Sequence, residues 1–127
     1  MTAVKMKHAQ GNDTREVILT VAERLFAEYG VASVSNRQVS EAAGQGNNFA
    51  VGYHFGTKND LVLAIIRKHA PSVQRLQTDM LQRVEGSSHL RDWLACLVQP
   101  ATDHLESLGN PTWYGRFIAQ LMTDPVL

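Results

Sequence analysis

Residues 44–60 read GQGNNFAVGYHFGTKND, and the reading of this stretch decides the fold. Glycines, two adjacent asparagines and the cluster Tyr53-His54-Phe55 separate two segments that are apolar and alanine-rich at helical spacing. Upstream, Asp13 and Glu16 form a capping-box pair. Ile18, Ala22, Leu25, Phe26 and Tyr29 follow at steps of three and four residues, the stripe of an amphipathic helix that Gly30 ends. Ser35 and Gln38 make a second box, opening a short helix, NRQVSEAA, expected to bury Val39, Ala42 and Ala43 and to stop at Gly44. Asn47 is placed to cap a third helix with Val51 and Phe55 facing inward. Thr57 and Asp60 form a third box, launching a longer helix through Leu61, Val62, Ile65 and Ile66.

Beyond this region Pro71 is expected to kink or interrupt the long helix, because it removes an amide donor and crowds the preceding turn. PSVQRLQTDMLQRV continues in helical period, EGSS breaks it, and Ser88 is expected to start the next helix. There Leu90, Trp93, Leu94, Leu97 and Val98 form an apolar stripe that Pro100 interrupts. Gly109-Asn110-Pro111 reads as a turn with Pro111 at a helix start, and TWYGRFIAQLM is the last helical segment. No run alternates with strand period and no internal repeat occurs, so the chain is expected to be all-α.

With 127 residues, 44% hydrophobic and 19% charged, the chain is long enough to bury a core and too apolar to be disordered. The 12 Lys and Arg balance the 12 Asp and Glu, so no global basic field marks a nucleic-acid partner. Locally, residues 1–70 hold eight Lys and Arg against six Asp and Glu, a mildly basic front end. The lone Cys96 excludes an internal disulfide, and no apolar run reaches the roughly 18 residues of a membrane span. The polar start, MTAVKMKHAQGND, lacks the apolar middle of a signal peptide, so a cytoplasmic setting is expected. Residues 1–12, with Lys5, Lys7 and His8, read as a mobile arm.

Two short helices joined by a compact turn and packed on a longer first helix make a helix-turn-helix unit, whose second helix offers its N-terminal residues to the major groove of DNA. In that arrangement Gly44 supplies the left-handed end of the supporting helix, and Asn47 and Asn48 sit at the exposed tip. An asparagine amide can donate to and accept from adenine at once. Ala50 is small enough to touch a thymine methyl, while Tyr53, His54 and Lys58 are placed for phosphate contacts.

Residues 14 to about 68 resemble the DNA-binding domain of the TetR family of bacterial transcriptional regulators. The resemblance rests on ILTVAERLFAEYG, on SNRQVSEAAG, and on VGYHFGTKNDL, which is similar to that family's aromatic-His-Phe-x-x-Lys-x-x-Leu signature. Carried over by position, it implies DNA contacts from Ser35, Arg37, Asn47, Asn48, Ala50, Tyr53, His54 and Lys58. It also implies a three-helix DNA-binding domain over 13–68, then a helical effector and dimerisation domain over 69–127 that is expected to be incomplete. The function so implied is a dimeric repressor on a palindromic operator in double-stranded DNA, released by a small-molecule effector. Gly52 departs from the pattern, standing where the family usually carries a phosphate-contacting tyrosine.

Other readings of the same residues carry less. GQGNNFAVG lacks the preceding strand and the Lys-Ser/Thr ending of a nucleotide-binding loop. His89, Asp92, Cys96 and Asp103 share a helical stripe, but only neighbouring turns of one helix can converge on an ion, so no metal or other cofactor is expected. Trp93, Leu97, Trp113, Phe117 and Met122 are the residue types that line an effector pocket, and equally those of a helix-bundle core. A helical binding module that has kept the fold but lost DNA affinity is the alternative, favoured by the neutral charge and Gly52.

Overall fold

The computed structural model describes residues 3–109 and 112–124, with side chains described from Asp13 onward. Its elements are α1 (Ala3–Tyr29), α2 (Asn36–Ala42), α3 (Ala50–His54), α4 (Lys58–Arg83), α5 (Leu90–Ser107) and α6 (Trp113–Thr123), and no strand occurs among the described residues. The chain is therefore all-α. It divides into two compact units, one formed by the residues up to Ile65 together with those from Trp113 onward, the other by Ile66–Thr112.

The core of the first unit collects the stripe of α1, Ile18, Ala22 and Phe26, with Val39 of α2, Val51 of α3, and Leu61 and Ile65 of α4, all of them inaccessible to solvent. Helix α6 closes this core. Phe117 stacks on Phe26 with ring centroids 6.2 Å apart, and Tyr114 stacks on Phe117 at 6.0 Å. At the rim the guanidinium groups of Arg24 and Arg116 lie 5.1 and 5.3 Å from the Trp113 ring, and the Gln120 amide donates to the Ala27 carbonyl at 3.3 Å. The boundary read from the sequence placed everything after residue 68 in a second domain. The last helix instead returns to the first unit, because its aromatic face finds the open side of α1.

Several local expectations change. Helix α1 begins at Ala3, not at the Asp13 box, since residues 3–10 are mostly good helix formers and a capping pair permits a start without enforcing one; the side chains of Lys5, Lys7 and His8 lie outside the described residues. Tyr29 is 62% exposed. In α2 the buried pair is Val39 and Ser40, while Ala42 is exposed: the helix face that meets α3 is rotated from the one its alanines suggest. The second and third capping boxes form as the spacing predicts, Ser35 with Gln38 and Thr57 with Asp60.

In the second unit α4 and α5 both run through their prolines, Pro71 and Pro100. A proline deletes only its own amide bond, and the surrounding turns hold where packing supports them. Here Gln77 donates to the Cys96 carbonyl at 3.2 Å, and the buried imidazoles of His69 and His104 meet at 2.8 Å. The residues of α5 that face α4 are the small Cys96 and Pro100, with His104. The apolar stripe read along this helix is exposed: Leu90, Leu97 and Val98 are each about two-thirds exposed or more. The break before α5 is held by Ser87, whose hydroxyl donates to Asp92 and accepts from the His89 amide, so the start signal is Ser87 and not Ser88. The turn at Asn110-Pro111 lies outside the described residues.

Burial, assisted by the nearby Glu23 carboxylate, raises the Tyr114 phenol above its usual value of 10.0. A raised acid keeps its proton in the folded state after the unfolded chain has begun to lose its own, so this contribution to stability is complete below pH 10 and is lost as pH climbs through the folded value. Denaturant titrations of the wild type should thus show stability falling above pH 10 by more than in Tyr114→Phe, and a pair of parallel profiles would remove Tyr114 as the cause.

Candidate nucleic-acid interface

The short α3 is placed by bonds at both of its ends. A five-residue helix cannot sustain itself, because nucleation alone costs more than its few internal bonds return. Its early amides also lack intrahelical acceptors. The first support is Ser40 on α2, wholly buried. Its hydroxyl donates to the Asn36 carbonyl at 3.0 Å and accepts the Val51 amide of α3 at 3.2 Å. At the far end Arg15 of α1 donates to the His54 carbonyl and lays its guanidinium 4.4 Å from the centre of the Phe55 ring. Neither residue was singled out by the sequence. For Ser40 the available signal was a small hydroxyl residue next to Val39 on the inner face.

The turn between α2 and α3 is built by its own chemistry. Gly44 takes φ +74°, the left-handed conformation that ends α2, and the Gln45 amide donates to the Ser40 carbonyl at 3.0 Å. The Asn47 side chain accepts the Phe49 amide at 2.9 Å, which makes Phe49 the residue preceding α3 and starts the helix two residues later than an Asn47 cap would. At the exit Gly56 has φ +108°, and a β-carbon there would lie 2.6 Å from an Asp60 carboxylate oxygen, so the third capping box and this glycine require each other.

The residues expected to meet DNA separate into three groups. Ser35, Arg37, Asn47, Asn48 and Tyr53 are exposed, Tyr53 at 83%. Of these, Ser35 caps α2 and Asn47 caps the turn, while Arg37 forms a surface pair with Glu41 at 3.1 Å, an attachment weak enough to exchange for a phosphate. His54 is half-buried, its ring edge-on to Tyr53 at 5.0 Å. Lys58 and Ala50 are engaged inside the protein: the Lys58 ammonium donates to the Val31 carbonyl at 2.9 Å, and Ala50 is 5% exposed. The thymine contact read for Ala50 is therefore corrected, since its methyl packs inward beside Val51. Phe49, passed over in the sequence, is 79% exposed at this same tip. Gly52 is exposed, and a β-carbon there would meet nothing within 4 Å.

The bacterial regulatory proteins of the tetR family match residues 18–65, the segment from the core stripe of α1 to the first turns of α4. The likeness to the tetR family is thus confined to this segment, which holds the helix-turn-helix. Among curated proteins it is 40% identical over 58 residues to the HTH-type transcriptional repressor AcnR of Corynebacterium glutamicum, covering 46% of this chain and 30% of that protein. The AcnR of Corynebacterium diphtheriae matches at 28% over 120 residues, 89% of this chain and 61% of the relative. The HTH-type transcriptional regulator AcrR of Shigella flexneri matches at 32% over 77 residues, 61% and 35%. The chain thus spans between 30% and 61% of the length of these relatives.

The five residues named for an effector pocket fall in different units. Trp93 and Leu97 belong to the second unit, where both are exposed; Trp113 and Phe117 belong to the α6 face of the first, and Met122 is 82% exposed. A cleft of about 380 Å³ in the second unit is lined instead by Ser72, Arg75 and Leu76 of α4 and Asp103, His104 and Ser107 of α5, with Leu108. Among the described residues no three His, Cys, Asp or Glu side chains are grouped so as to hold a metal ion, and no helix is long and apolar enough to cross a membrane.

Two substitutions test how α3 is held. Ser40→Ala strips the Val51 amide of its buried acceptor and should lower unfolding stability by about 1–3 kcal/mol in chemical denaturation; a change within error would mean that the hydroxyl does not support α3. Gly52→Ala enters open space at ordinary helical dihedrals and should raise stability by up to ~1 kcal/mol, checked by thermal melting.

Proposed function

We propose that this chain is a sequence-specific regulator that binds double-stranded DNA through α3 and represses transcription. The observation that carries this reading is the pose of α3. Ala50 and Val51 are buried and both helix ends are tied to α1 and α2, while Asn48 and Tyr53 stand exposed around the N-terminal end. A scaffold that spends a buried serine and an arginine on five residues fixes them for recognition by a rigid partner, and the tip of a second short helix is the part that enters a major groove.

In this reading Asn48 reads a base edge, with adenine the best match for its amide. Arg37, Ser35, Tyr53 and His54 position the protein on phosphates, and Asn47 positions Phe49 and the turn. The regulator acts as a homodimer whose two α3 helices enter successive grooves ~34–36 Å apart on a palindromic operator. Exposed apolar stripes such as that of α5 are commonly covered by association. A small-molecule effector bound in the second unit, where the α4–α5 cleft offers Arg75, Asp103 and buried His104, releases DNA through its unequal affinity for two conformers. The setting is cytoplasmic, as DNA binding requires, and no catalytic step is part of the mechanism.

Selection from a random duplex pool, followed by fluorescence anisotropy at two salt concentrations, tests the reading; an enriched inverted repeat with salt-dependent affinity is expected, and failure to enrich any sequence would refute it. On the selected site Asn48→Ala should lose about 1–3 kcal/mol of discrimination at one or two base pairs. Arg37→Ala should weaken all duplexes alike and reduce the salt slope by about 1. Equal loss on specific and non-specific duplexes in Asn48→Ala would exclude it from base reading.

A further inference from the structure

Phe49 has no role in packing the domain that displays it. Its side chain is 79% exposed, yet its backbone is held at two points: the amide donates to the Asn47 side chain at 2.9 Å and the carbonyl accepts the Tyr53 amide at 2.9 Å. An apolar ring is thus carried on a fixed backbone at the N-terminal end of α3, beside exposed Asn48. One turn further on, at the position that would normally crowd it, stands Gly52 with nothing within 4 Å of where a β-carbon would be. Ala50, the other small apolar group near the tip, is buried and out of reach.

We propose that Phe49 is a specificity-determining residue that packs on the 5-methyl group of one thymine in each half-site. The inference rests on the DNA-binding reading above and deepens it. A benzyl side chain can form no hydrogen bond, so phosphates and polar base edges give it nothing. The thymine methyl is the apolar feature that the major groove presents, and an aromatic ring is a suitable partner for it. The gap left at Gly52 allows the α3 backbone to approach the groove closely enough for a ring anchored at the helix start to reach the base plane. Asn48 and Phe49, adjacent at the tip, then read neighbouring features of different kinds, one by hydrogen bonds and one by apolar contact.

Replacement of thymine by deoxyuridine removes that methyl and nothing else. In the duplex enriched by the wild-type protein, each thymine is exchanged in turn and affinity is measured by anisotropy at fixed salt. One position in each half-site should weaken binding by about three- to fivefold, the loss expected for one apolar methyl contact. Phe49→Ala should bind the thymine and deoxyuridine duplexes equally at that position. Phe49→Leu should keep most of the difference, and both variants should keep the wild-type salt slope. Because the side chain is exposed, neither substitution removes a core contact. Wild-type binding that is sequence-selective but indifferent to every exchange would overturn the methyl contact alone, and would be the outcome for a ring wedged between base steps. Persistence of the difference in Phe49→Ala would assign it to another residue. Failure to enrich any sequence would overturn this inference together with the DNA-binding reading.

Discussion

The hydroxyl of Ser40 is the bond on which the recognition surface depends. It joins the Asn36 carbonyl of α2 to the Val51 amide of α3 inside a site closed to water. Two properties make it hard to replace. The Val51 amide lies in the first turn of α3, where no intrahelical acceptor exists, so without Ser40 it would be buried unpaired. A short helix also has no cooperative reserve with which to absorb that loss. Threonine would add a methyl to a position with no exposed surface, and alanine or valine would remove the acceptor. With Ser40 in place, Val51 and Ala50 turn inward and Asn48, Phe49 and Tyr53 must turn outward, since an α3 of five residues has only these two sides to offer.

The same domain uses most of its cations internally, which is unusual for the polyanion-binding surface proposed here. Arg15 is committed to the His54 carbonyl and the Phe55 ring, Lys58 to the Val31 carbonyl, and Arg24 and Arg116 to the Trp113 face. Arg15 and Arg24 thereby link α1 to α3 and α6, and Lys58 ties α4 to the segment that follows α1. Combined with a formal net charge of zero, this would leave the proposed DNA binding a modest electrostatic component and a larger share carried by contacts at the tip. Arginine suits the double duty at position 15, because its planar fork can donate to a carbonyl while its face covers a ring.

Much of this was legible in the sequence because it is encoded locally. The second and third capping boxes specify the helix starts through bonds between residues three apart, and Gly30, Gly44 and Gly56 mark positive-φ positions where other residues are strained. The order of these signals, together with the tetR-family string, was enough for the helix-turn-helix. What was not legible depends on partners distant in the chain. Lys58 was read as a phosphate ligand, but its bond reaches back 27 residues to Val31, and Arg15 reaches forward 39 residues to His54. Ala50 and Phe49 were confused because the helix starts two residues later than Asn47 suggests, and a shift of that size exchanges the inward and outward faces. The exposure of the α5 stripe was not legible for a different reason. Periodicity shows that a helix has an apolar face but not that the face has a partner, and here the partnered side carries Cys96, Pro100 and His104.

The return of α6 also changes what the second unit is. Residues 66–112 form an insertion within the first unit, entered in the middle of α4 and left just before α6. The entry point lies next to Ile65, wholly buried in the first unit, and the exit leads into Trp113, Tyr114 and Phe117, which pack on α1. Both junctions thus run directly into core residues of the first unit. The exit leads into the helix that packs on α1, and α1 carries at Arg15 the group that holds the end of α3. Within the first unit α6 and α3 are therefore held to one and the same helix, α6 by the Phe117–Phe26 stack and α3 by Arg15.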